Sequence, residues 1–162
     1  MKKIGIILIG LMIWGTAGAQ EFVSEFQKKH EKDAEFTIVN ITSKMFQLIG
    51  TMADATEESI ISNLDGLRMI SSKKNIKKYY KEAASDLARA GHEELMTVES
   101  ENENIRMYTK DKKGVISSLV IVIENPTEFT LIGISGKIDL KQLASLSKTL
   151  NIEHLEKLDS IQ

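Results

Sequence analysis

"VISSLVIVIENPTEFTLIGISGK", Val115–Lys137, decides the fold. Its two apolar runs are separated only by a short turn signal around Asn125-Pro126, too brief to hold a helix. Strands joined this closely pair antiparallel. Leu119–Ile123 is apolar on both parities, which predicts a central strand with both faces covered. The second run, within Glu128–Gly136, is its expected neighbour.

Upstream, "EELMTVES" and "NIRMYTK" keep the period of two, with turn-rich separators at Asn102–Asn104 and Asp111–Gly114. Four successive strands make a meander. Before it the period is helical: Ile76, Tyr79, Tyr80, Ala83, Leu87 and Ala88 predict the buried face of a long helix, about Asn75–Ala90, stopped by Gly91. Earlier still come a short helix over Glu21–Lys32, a strand over Glu35–Ile41 and a helix capped by Thr42 or Ser43. "TEESIISNL" predicts another short helix, with Gly66 at its end or in a turn, followed by a short strand at Leu67–Ser71. A last helix is expected from about Leu140, with Asp139 as its N-cap and Gln142 completing a capping box. Together these predict an α+β fold: a single twisted, largely antiparallel sheet with a carboxyl-terminal four-strand meander and helices packed mainly on one face.

The amino terminus reads as a leader. Lys2 and Lys3 precede an apolar run, Ile4–Trp14, and Ala17-Gly18-Ala19 supplies the small-residue cleavage pattern. Cleavage is expected between Ala19 and Gln20, giving a signal peptide of residues 1–19 and one domain over 20–162. The apolar run is shorter than the roughly twenty residues that span a bilayer, so no stable span is expected after cleavage. With no cysteine in the chain, a lipoprotein anchor, a disulfide framework and thiolate chemistry are excluded. Removing the leader leaves 19 basic against 23 acidic side chains, a balance with no footprint for nucleic acid.

The glycine-flanked serine of the opening stretch invites a chemical reading. A phosphate loop needs a glycine five positions before Gly136, where Leu131 stands, and a hydroxyl after Lys137, where Ile138 stands. A nucleophile elbow needs a second glycine where Lys137 stands, and the only downstream histidine is His154. A strand-to-helix joint explains more residues, with Gly133 permitting a bulge or the close approach of another backbone. His30, His92 and His154 share no ligand spacing, and the acidic hairpin tip Glu99, Glu101 and Glu103 lacks a calcium-loop pattern. No catalytic residue, cofactor or metal is therefore expected. Lys73, Lys74, Lys77, Lys78 and Lys81 form a basic cluster at the start of the long helix, a candidate patch for an anionic partner set against a plain solvated face.

"SKMFQLIG", "LDGLRMIS", "HEELMTVES" with "IRMYTKD", and "EFTLIGISGKIDLKQLASLS" resemble the domain of unknown function 4252 family, small exported proteins of Gram-negative bacteria. The resemblance covers most of the chain after the leader. It implies export and one α+β domain, and it brings no activity and no site residues. The resulting expectation is a soluble exported module in the periplasm or outside the cell. Such a module binds without catalysis, regulatory roles included, and its partner is an envelope protein that pairs with an exposed strand edge. The alternative is a periplasmic carrier of a small apolar ligand, favoured slightly by adaptable methionines such as Met45, Met52 and Met69.

Overall fold

The computed structural model describes residues 18–52 and 62–140. In chain order its elements are α1 (Ala19–His30), β1 (Thr37–Thr42), α2 (Ser43–Gly50), β2 (Leu64–Ser72), α3 (Ile76–Arg89), β3 (Glu93–Glu99), β4 (Asn104–Lys112), β5 (Val115–Glu124) and β6 (Phe129–Ile138). The six strands form one sheet in the order β1-β2-β6-β5-β4-β3, antiparallel at every junction. The fold is α+β, as the alternation of periods predicts. The leader, the helix read in "TEESIISNL" up to Ile61, and the final helix beyond Leu140 lie outside the described residues.

β5 and β6 occupy the middle of the sheet because their side chains are apolar on both sides. Leu119, Ile121 and Ile123 point to one face, Val120 and Val122 to the other, and none is more than 1% exposed. Each large side chain so buried contributes roughly 1.5–3 kcal/mol. On one face lie α1 and α3, whose Phe22, Phe26, Tyr79 and Leu87 pack on Ile70, Val122, Phe129 and Leu131. Phe26, Tyr79 and Phe129 meet at centroid distances of 5.7–5.9 Å, two of the three contacts edge-on, the geometry aromatic quadrupoles favour. At the surface, Lys29 of α1 clasps α3 through Glu82 at 2.5 Å and Asp86 at 2.9 Å. α2 takes the opposite face, over β1 and β2, with Phe46 packed on the cluster of Leu67, Ile132 and Ile134.

Gly133 explains itself once α1 is in place. A Cβ there would stand 2.4 Å from the Ala19 carbonyl oxygen, so the helix backbone seats directly on the strand. Of the two roles open to this glycine, close approach is the one used; the register runs unbroken through Gly133 against both β2 and β5. Gly136 has φ +142°, and a Cβ on it would meet the Asn63 carbonyl at 2.4 Å. The opening stretch is thus a central strand ending in a glycine-dependent joint.

Three expectations need correction. Gly66 neither ends a helix nor makes a turn; it lies inside β2, paired with Thr42 and Ser135 beside a bulge. β2 is longer than Leu67–Ser71, because pairing with β6 recruits Leu64, Gly66 and Ser72 at its two ends. Within α3 the buried position is Ala84, one turn after Tyr80, while Ala88 is exposed. Gly91 does stop α3. Its N–H donates to Ala88 O and that of His92 to Leu87 O, the paired bonds of a Schellman closure.

Candidate functional site

Ser135 pairs across the sheet with Ser118 and Gly66, and its Oγ lies against Gly18, 3.5 Å from where a Cβ there would be. Lys137 donates its backbone N–H to Asn63 O, and His154 lies outside the described residues. Ala19 and Gln20, expected to flank the cleavage point, are in the first turn of α1. Ala19 is fully buried, and the Gln20 side chain rests against Gly66.

A histidine–serine contact was missed in the sequence, because its members are 26 positions apart. His92 Nε2 stands 3.4 Å from Ser118 Oγ, and both side chains are buried. Burial, then the nearby Lys110 ammonium, lowers the His92 imidazole to about 4. An imidazole that weak removes few protons at neutral pH. A backbone hydrogen bond with Leu87 acts the other way, as the smallest of the three causes. The pair is a packed polar contact at the end of α3. The signal that could have found it is Ser118, a lone hydroxyl on the same parity as Val120 and Val122.

The lysine cluster and the acidic hairpin tip come together. Lys73, Lys77 and Lys78 form one wall of a cleft of about 710 Å³, and Glu101, Glu103 and Glu124 stand on the other. Opposed charges across a cleft offset one another, so the cluster is less cationic than its sequence suggests. Lys74 is exposed in the loop before α3, and Lys81 stands one turn beyond Lys77.

Glu124 joins this cleft to a second, of about 490 Å³, between α3 and β4. Here the Arg106 guanidinium lies 5.7 Å above the Tyr80 ring, 3.9 Å from Glu94, and beside Tyr108. Burial raises both phenols, and the hydrogen bond that Arg106 donates to the Tyr108 oxygen is the main cause that raises Arg106. All three groups therefore keep their protons at neutral pH. The groove sets hydrogen-bond donors against carboxylates, which fastens α3 to β4.

The two edges of the sheet differ sharply. β3 (EELMTVE) carries Glu93, Glu94 and Glu99, and a bulge breaks its register between Glu94 and Met96. Charge and bulge are both devices that keep an edge from pairing with another chain. β1 (TIVNIT) carries no charge, and its register with β2 runs unbroken from Thr37 to Thr42. Among the described residues no strand pairs with its outer side. Ile38 is 45% exposed and Val39 37%. On the face that Val39 shares, α2 turns a second apolar stripe to solvent, Met45, Leu48 and Met52, at 51%, 54% and 89%.

No helix among the described residues is long and apolar enough to cross a membrane. Comparison with curated proteins and with solved structures finds no match. The sequence pattern of the domain of unknown function DUF4252 matches residues 29–146, from the end of α1 to beyond β6. That span takes in the entire sheet, and the chain belongs to the DUF4252 family.

Proposed function

We propose that this chain is an exported interaction module of the cell envelope that works without catalysis, regulatory roles included, through the β1 edge. One observation carries the reading: an uncharged, unbroken edge strand lies beside an exposed apolar helix stripe, on a sheet whose other edge is guarded. Open strand edges recruit extended partners by main-chain hydrogen bonds, with side-chain pockets adding selectivity. The alternative, a carrier of a small apolar ligand, needs an apolar cavity of about 300 Å³ or more between sheet and helices. Val23, Tyr79 and Leu87 are instead fully buried against the sheet, and the two grooves beside α3 are rimmed by charged side chains. Both features favour a surface module.

Two measurements test the reading. Intact mass of the chain from the envelope fraction should correspond to a start at Gln20; a start at Met1 in the cytosolic fraction would contradict export. A photo-cross-linker at Ile38 should capture a protein partner in cells, while one at Leu95 on β3 captures none. Capture from Leu95 alone would move the working surface to the other edge.

A further inference from the structure

We infer that the β1 edge pairs antiparallel with β1 of a second copy of this chain, about a two-fold axis perpendicular to the sheet. This rests on β1 being the working surface and names what covers it. An antiparallel pair related by such an axis keeps residues of the same sheet face opposite one another. Centred on Asn40, the pairing sets Asn40 against its own copy and Val39 against Ile41 of the partner. Both of the latter lie on the α2 face, since they pair with Met69 and Leu67 of β2. The two six-stranded sheets then become one, with the α2 helices facing each other across the axis on the same side.

Charge selects this arrangement. Glu35 is exposed just before β1 and Lys44 is exposed just after it. Antiparallel self-pairing brings Glu35 of each copy beside Lys44 of the other, whereas parallel pairing would set like against like. Head-to-tail pairing of β1 with β3 meets the bulge and three glutamates, and would build open fibres rather than a closed pair. A short ladder alone falls below the roughly 1,200–2,000 Å² of a stable interface. The Met45, Leu48 and Met52 stripe supplies the added apolar area, on side chains flexible enough to interlock with their own copies.

Sedimentation equilibrium on the chain from Gln20 onward tests the inference. The wild-type chain should be a dimer, and Val39→Lys should weaken it at least about tenfold by setting an unpaired charge in the ladder. Because Val39 is exposed, the far-ultraviolet spectrum should stay unchanged. Glu35→Lys should weaken the dimer, and adding Lys44→Glu should restore it to within about threefold, a rescue that general stickiness would not give. The chain has no cysteine, so Asn40→Cys introduces a single thiol; on mild oxidation it should link two copies, while Leu95→Cys on β3 should not. A wild-type monomer at every concentration would overturn self-pairing. If Ile38 still cross-links a different protein in cells, the interaction module stands with another occupant; if it cross-links nothing, both readings fall. A dimer indifferent to Val39→Lys and to the charge exchange would place the contact elsewhere.

Discussion

The two outer strands of this sheet are built to opposite rules. β3 has glutamate at three of its seven positions and a bulge near its start; β1 has six uncharged residues in unbroken register. Both belong to the same sheet and leave one side of the ladder without a strand among the described residues. Ladder geometry is thus common to the two, and side-chain chemistry separates them. A guarded edge tolerates water; a bare one flanked by exposed Ile38, Val39, Met45 and Leu48 gains by being covered. On the proposed reading, the contrast gives the partner contact to β1 and protection from pairing to β3.

The largest effect comes from breaking the centre on which both edges depend. Gly133→Val would drive a side chain into the Val23 methyl of α1, which stands 2.8 Å from where even a Cβ would be, displacing α1 from β6. We expect a loss of more than about 3 kcal/mol in urea unfolding. A loss below about 1 kcal/mol would mean that α1 is not seated as described.

Acid should act at the guarded side first, because His92 closes α3 just ahead of β3. Its folded imidazole is lowered to about 4 from an ordinary value near 6.5. Between those values the unfolded chain binds the extra proton and the folded chain does not, so stability falls as pH drops from 6.5 towards 4 and is unaffected by this group above 6.5. The difference in stability loss between wild type and His92→Gln over that window should be roughly 2–3 kcal/mol. Equal losses in the two proteins would show that the histidine is already solvated.

Stripping the guards should have a smaller effect. With Glu93→Thr, Glu94→Thr and Glu99→Thr together, β3 keeps its bulge but loses its charge, and light scattering should reveal species larger than the wild type at high protein concentration. An unchanged mass would leave the bulge as the sufficient guard.

Much of this could be read locally. The meander β3–β6 was legible because alternation and turn residues act over a few positions, and Leu119–Ile123 announced a central strand by being apolar on both parities. Gly66 misled because a glycine near polar residues looks like punctuation, whereas two neighbouring strands hold it in the ladder. Ala84 and Ala88 were exchanged because both satisfy helical spacing, and only the docking angle on the sheet chooses between them. The glutamates of β3 and the neutrality of β1 stood in the sequence throughout. That these strands are the two edges depends on β6 inserting beside β2, a pairing more than fifty residues apart, and local pattern carries no record of it.

Hydrogen exchange read by mass spectrometry tests the bare edge most directly. Amides of Thr37–Thr42 should exchange quickly in dilute protein and become protected as concentration rises, while those of Glu93–Glu99 exchange alike at both concentrations. Exchange at Thr37–Thr42 that ignores concentration, or protection that appears at Glu93–Glu99 instead, would contradict the account.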